Sequence, residues 1–352
     1  MRKPAVRIIG QGGTDLIPGW LQSLTRVSFT DNDGGDADDL EIEFAVSAPF
    51  PASPAEGTRY QLFYGWEGEQ LRNGGQFTYQ SDSLTGDAES GYLMNVVARS
   101  ADFVDADKAS DTEHFEKTTV GEIVNWIASK TGKTAIVDPQ ISSIEIPYRL
   151  RYNQSAVGFV KEIAEEFGGT LKLAGGKMLM PKRSGGKSAS GQELPVIAVT
   201  FDQVISFEIS SEGRGKFKDV EAPYFDPMEG VQKLSKAAGI GDLSRFLGLH
   251  PARSAEEASH ASKAQAGELG RGTISGSVTM EGSNEAMAGA PVSLSGFGAS
   301  RDGLDLVAPS IQHEWSFDEA GGWLMTIELA NKKNRVPAAR NSCPVKPGGQ
   351  GA

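Results

Sequence analysis

A single cysteine, Cys343, stands in a chain of 352 residues, so no internal disulfide can brace the fold and a reducing compartment is its natural setting. Long apolar runs are also missing, since no stretch approaches the roughly 20 residues that a membrane-crossing helix needs. The basic start at Met1-Arg-Lys leads into Val6-Arg-Ile-Ile-Gly10, where Arg7 interrupts and Gly10 ends the apolar run that a signal peptide requires. These absences predict a soluble protein made in the cytoplasm, without membrane insertion. Positive charge is in deficit, with 34 Lys and Arg against 46 Asp and Glu and a net charge of -12. That balance excludes a nonspecific nucleic-acid binder, because holding phosphates needs clustered cations.

Motifs that carry chemistry are lacking as well. The four histidines, His114, His250, His260 and His313, show no metal-ligand spacing with carboxylates or with Cys343. No serine sits in a Gly-x-Ser-x-Gly turn. Arg183-Ser-Gly-Gly-Lys187-Ser188 looks like the end of a phosphate-binding loop, but Pro181, followed by Lys182, occupies the position of the first required glycine. Gly10-Gln-Gly12-Gly13 fails as a dinucleotide fingerprint at Asp15. The acidic run Asp31 to Asp39 has Asp36 and Ile42 where a helix-loop-helix calcium site needs Gly and Glu, and reads as a solvated turn. Glu165 and Glu166 fall on an amphipathic helix, where a solvated face is commoner than an acid-base pair. No catalytic, cofactor-binding or metal-binding residue is assigned, and no enzyme is expected.

What the sequence does contain is an echo. Gly57-Thr-Arg-Tyr-Gln-Leu62-Phe-Tyr-Gly65 resembles Gly289-Ala-Pro-Val-Ser-Leu294-Ser-Gly296, and Gly91-Tyr-Leu-Met-Asn-Val96 resembles Gly322-Trp-Leu-Met-Thr-Ile327. The two pairs keep their order at an offset of about 230 positions, the mark of a duplicated β-module. The 43 glycines and 17 prolines favour short strands and turns over a helical bundle, and the length suits two or three domains.

Along the chain, period-two patterning in Arg26-Val-Ser-Phe-Thr30 and Leu40-Glu-Ile-Glu-Phe-Ala-Val46 predicts a small antiparallel barrel over 1–105. An α+β domain is expected over 106–183. Thr119 and Glu122 have capping-box spacing ahead of one helix, Ser155 can cap a second, and a hairpin turns at Gly175-Gly176. Residues 184–194 read as a flexible Gly/Ser/Lys linker. A second barrel follows over 195–332, interrupted by a helical insertion at about 227–270 in which Ser254 and Glu257 form another capping box. The tail over 333–352, with Pro337, Pro344 and Pro347, is expected to be flexible. The fold class is thus mainly β, with two similar small antiparallel barrels flanking an α+β insert.

The order of these parts, with Tyr152-Asn-Gln154-Ser155, Phe159, Ile163-Ala-Glu-Glu-Phe-Gly168 and the Gly175-Gly176-Lys177 hairpin, resembles the late control protein D family of contractile phage tails. Asp31, Gly34 and Asp38-Asp-Leu-Glu-Ile42 look like the family's first-barrel turn and strand, and Ala290 to Gly298 with Gly322 to Leu329 like its second barrel. The resemblance covers about 5–332 and includes the related spike proteins of type VI secretion. It implies tail-tube-like barrels and a baseplate hub: a homotrimer acting as a pseudo-sixfold adaptor between the tail tube protein and the central spike protein. Other baseplate proteins would attach to it, and DNA would pass through its channel without specific binding. It further implies a place in the virion tail baseplate, assembled in the host cytoplasm. Two other readings stay open. A glycan- or receptor-binding tip protein should expose aromatics such as Trp66, Trp315 or Trp323, and a cell-wall hydrolase should show paired carboxylates in a cleft, one with a raised pKa.

Overall fold

The computed structural model describes residues 2–87, 91–100, 107, 109–211, 218–239, 246–248, 251–271, 274–317 and 321–332. The expectations for the 333–352 tail, Cys343 and His250 lie outside these residues.

The first strands are β1 (Pro4–Gly10), β2 (Leu24–Asn32), β3 (Asp39–Val46), β4 (Arg59–Trp66), β5 (Arg72–Asp87) and β6 (Gly91–Arg99), paired in the order β1-β4-β5-β6-β3-β2. Alternation along β3 and β6 turns Leu40, Ile42, Met94, Val96 and Ala98 into a core shared with Ile8, Leu62, Tyr64 and Phe77. This burial, and not strand propensity alone, fixes the register, because a one-residue slip would turn the same residues to water.

The middle segment contains β7 (Ser110–Thr119), α1 (Val120–Lys130), β8 (Thr134–Val137), β9 (Glu145–Ser155), α2 (Ala156–Glu166), β10 (Lys172–Ala174) and β11 (Lys177–Met180). Thr119 Oγ1 accepts from the Glu122 amide, and Glu122 reaches back to the Thr119 amide, so the capping box of α1 is complete. Ser155 accepts from the Gly158 amide and starts α2. Apolar residues spaced at helical intervals, Ile123, Val124, Ile127, Phe159, Val160 and Ile163, bury one face of each helix in a common core. Sequence patterning missed β7, whose residues Ser110-Asp-Thr-Glu-His-Phe are mostly polar; it forms by pairing with β9 in a two-stranded ribbon.

After it come β12 (Ile197–Thr200), β13 (Val204–Ser211), β14 (Asp219–Asp226), β15 (Val231–Ala238), β16 (Phe246–Leu247), α3 (Ala255–Arg271), β17 (Ile274–Glu281), β18 (Pro291–Ser295), β19 (Leu306–Val307), β20 (Ser310–Ser316) and β21 (Gly322–Asn331). The expected helical insertion at 227–270 is corrected here. Residues 231–238 form a strand paired with β14, and the long helix spans Ala255–Arg271. Lys and Ala in β15 have helical propensity, but Asp226 accepts from the amides of Met228 and Glu229, forming a turn that sends the chain back along β14. Ser254 does cap α3, accepting from the Glu257 amide. The segment expected as a flexible linker is a folded turn, with Ser188 bonded to Gln192, Leu194 bonded to Gly186, and Ala189 buried.

The sequence echoes fall on matching strands, β4 with β18 and β6 with β21. Pairing repeats with them: β2-β3, β3-β6 and β5-β6 correspond to β13-β17, β17-β21 and β20-β21, all antiparallel. The copies differ at β12, which runs parallel to β18 where β1 runs antiparallel to β4. Antiparallel pairing of β2 with β20 joins the two modules into one curled sheet of 13 strands among the described residues.

Candidate functional site

The acidic turn between β2 and β3 is solvated at Asp36 but not at its two ends, contrary to the sequence reading. Asp31 and Asp38 are both buried, and Lys172 from the middle segment is inserted between them. Its Nζ donates to Asp31 Oδ1 at 2.6 Å and to the Asn32 carbonyl at 2.8 Å, and lies 3.0 Å from Asp38 Oδ1. Asp31 Oδ2 accepts from the Ala288 amide of the second module at 2.9 Å. One carboxylate therefore touches both other parts of the chain.

Neighbouring contacts reinforce this joint. Arg72 Nη1 donates to the carbonyls of Asn284 and Ala286 at 3.0 and 2.9 Å, and Lys161 Nζ donates to the Gly35 carbonyl at 2.9 Å. Gly34 has φ +124°, and a Cβ there would run into Thr170, so the turn approaches the middle segment more closely than any side chain would permit.

Burial would push all three charges of the joint toward neutrality. Burial drives the Asp38 carboxyl up to about 6 against the opposing pull of Lys172, with the negative Asp31 alongside adding to the rise. For Asp31 the burial effect is overcome by the Lys172 ammonium and the Ala288 amide, and its carboxyl is held below the usual range. Lys172 is held above the ordinary lysine value, its desolvation outweighed by the two carboxylates.

A second buried ionic cluster secures α3. Arg149 donates to Glu166 and Glu162 at 2.6 Å each and lies 4.0 Å from the buried Glu257. Glu166, one of the carboxylate pair weighed for hydrolysis, has a raised pKa through burial and the adjacent Glu257, while Arg149 acts against the rise. Its role in this arrangement is to balance Arg149. Glu165 lines an open groove of about 600 Å³ together with Lys182, Arg183, His260 and Lys263.

The remaining singled-out residues are structural. Trp66, Trp315 and Trp323 are buried, with ring centroids 5.0 Å apart for Trp66 and Trp323 and 5.5 Å for Trp315 and Trp323. They do not form the exposed patch a glycan-binding tip would need. Gly282 passes so close to Trp323 that a Cβ would overlap the indole. His313 is enclosed by Phe29, Tyr64, Trp315 and Trp323, and the Trp323 indole N–H donates to its Nδ1 at 3.3 Å. Burial holds its pKa down to about 4. His114 lies against Tyr148, and His260 against Phe167. Among the described residues no group of three or more His, Cys, Asp or Glu could hold a metal ion, and no helix is long and apolar enough to cross a membrane.

The site is therefore a set of buried ionic joints between the long sheet, the middle segment and α3. No family model matches the chain. It is similar to proteins named probable baseplate hub protein from Escherichia phage 186, at 29% identity over 63% of the chain, and Escherichia phage P2, at 29% over 57%. The chain spans 57% and 51% of the length of those relatives. The fold is shared with a 43 kDa tail protein of prophage MuSo2 from Shewanella oneidensis, with TM-score 0.65 and 14% identity over 94% of this chain and 99% of that one. It is also shared with an Escherichia coli component of the type VI secretion system, itself described as similar to T4 bacteriophage tail proteins, with TM-score 0.57 and 9% identity over 94% and 79%. The resemblance read from the residues and the mainly β fold class both stand in these comparisons.

Proposed function

We propose that the chain is a structural baseplate hub of a contractile phage tail, a homotrimer whose paired modules form a pseudo-sixfold ring joining the tail tube to the central spike. The observation that carries this reading is the repeated strand pairing described above. Two related modules per chain supply six similar positions from three chains, matching a sixfold tube while preserving threefold symmetry for a spike. The relatives named as baseplate hub proteins support it.

In this role the protein resides in the virion tail baseplate after assembly in the host cytoplasm. It contacts tube, spike and neighbouring baseplate proteins and is not an enzyme. DNA passes through the channel without specific binding, and the net charge of -12 suits walls that do not hold phosphate. Light scattering coupled to size exclusion, on the protein alone and with its cognate spike, is expected to give a trimeric mass. A monomeric or dimeric mass in both conditions overturns the reading.

A further inference from the structure

Helix α3 meets the middle segment in two ways. Its first turn is held through the buried Glu257, beside Arg149 and Glu166. Farther along, His260, Lys263, Ala264 and Gly267 follow the i, i+3, i+4, i+7 spacing of one helical face and line the groove of about 600 Å³. Glycine is a poor residue for a helix interior, yet a Cβ built on Gly267 would meet no described atom within 4 Å. Packing among the described residues therefore does not demand a glycine here, and the small face of α3 keeps the groove open.

The charge of the groove runs against that of the chain. Lys182, Arg183, Lys263 and Lys332 line it against two carboxylates, Glu165 and Glu268, in a protein of net charge -12. Arg183 is spent on Glu268 at 3.1 Å, and Lys182 Nζ donates to the neutral Gln140 at 3.1 Å. Among the described residues Lys263 and Lys332 make no ion pair. Ser184 Oγ, a donor on the same lining, is buried and has no hydrogen-bond partner among the described residues. His260 feels this surplus: burial lowers its pKa, and Lys263 and Lys182 push it the same way against the weaker pull of Glu256. Between the cations the lining is apolar, with Ile141, Ile144 and Phe167 all buried.

We propose that this groove is a docking site for a short acidic segment of a partner protein, with carboxylates meeting Lys182, Lys263 and Lys332 and apolar side chains meeting Ile141, Ile144 and Phe167. Charge complementarity selects the occupant, because an uncompensated cationic groove on an acidic protein attracts anions and repels the chain's own predominantly acidic surface. The lining face of α3 runs from His260 to Glu268, a rise of roughly 12 Å, which an extended segment of about four residues spans. In an extended segment successive side chains point to opposite sides. Alternating acidic and apolar residues therefore present one set to the cationic rim and the other to the apolar floor. The groove belongs to the middle segment, α3 and Lys332, so its occupancy does not depend on the ring.

The test uses the full chain and a fluorescein-labelled peptide, Gly-Glu-Leu-Glu-Ile-Glu-Gly, followed by fluorescence polarisation. The same peptide with lysine for each glutamate, and inorganic tripolyphosphate as a competitor, are the controls. The acidic peptide is expected to bind, more weakly as salt is added, and the basic one not to bind. Lys263→Glu reverses a rim charge and Gly267→Leu fills the open space without a clash; each is expected to weaken binding roughly tenfold or more, while Lys263→Arg retains it. Circular dichroism checks that each variant folds as the parent does. The His260 ring, followed by NMR and assigned with His260→Gln, is expected to titrate at higher pH with the peptide bound, since added carboxylates offset Lys263 and Lys182. No binding of the acidic peptide, binding that both Lys263→Glu and Gly267→Leu leave intact, or a His260 titration that saturating peptide does not move overturns the proposal. Tripolyphosphate binding in the groove where the peptide does not bind also overturns it, assigning the groove to phosphate. Each of these failures leaves the hub reading standing, because that reading is decided by the mass of the assembly.

Discussion

Lys172 of β10 donates to Asp31 of β2 at 2.6 Å across 141 positions of sequence, and Asp31 passes the contact on to Ala288. Three separate stretches of chain thus meet on one buried carboxylate. Removing the lysine leaves two carboxylates without their counter-charge, and breaking a buried pair from one side is far more damaging than replacing the whole pair. Lys172→Met is expected to destabilise the protein by about 3–5 kcal/mol, read from the midpoint of denaturant unfolding. Adding Asp31→Asn and Asp38→Asn is expected to recover part of the loss. An unchanged midpoint in the single variant would show that the joint does not hold the parts together.

Asp38 gives the joint a pH dependence of definite sign. Its folded pKa is raised from 3.8 to about 6, so between those values the folded chain retains a proton that the unfolded chain has released. The contribution of Asp38 to stability therefore falls as pH rises from about 4 to about 6 and is constant above, with a span of up to about 3 kcal/mol. Asp38→Asn is expected to lack this component. Unfolding curves at pH 4.5 and 7 for both proteins check it, and equal pH slopes would rule it out.

His313 acts in the opposite direction over an overlapping window. Its pKa falls from 6.5 to about 4 on burial, so as pH drops through that range the unfolded state takes up a proton that the folded state refuses. Stability from this group is complete above 6.5 and lost toward 4. Among the described residues Nε2 of the ring has no hydrogen-bond partner, and His313→Phe keeps a ring among Phe29, Tyr64 and Trp315. The variant is expected to resist acid better than the parent by up to about 3 kcal/mol at pH 4, measured as the shift in thermal midpoint between pH 7 and pH 4. Greater acid sensitivity than the parent would contradict this account.

Hydrolysis of cell-wall polymer is not expected. Glu166, whose raised pKa invites the comparison with a general acid, is hydrogen-bonded to Arg149. A peptidoglycan zymogram of the purified protein is expected to show no clearing. Clearing abolished by Glu165→Gln with Glu166→Gln would overturn the structural reading.

The sequence by itself determined the local elements whose causes are local. The Thr119 and Glu122 capping box, the Ser155 cap, the Gly175-Gly176 turn and the alternation in β3 and β6 are read from neighbours within a few residues, and the glycine-led echoes of β4 with β18 and β6 with β21 are visible as text. Only the tertiary structure decided how distant pieces share charge and edges. Asp31 and Asp38 read as a solvated turn because the lysine that buries them lies 141 positions away from Asp31. Strand β15 read as helix because its partner strand, and not its composition, holds it extended. Strand β2 is covered by β20, whereas among the described residues no strand pairs with the outer edge of β13, although the two occupy the same place in the repeat. That difference is a property of pairing between segments far apart in sequence, which local propensity does not encode.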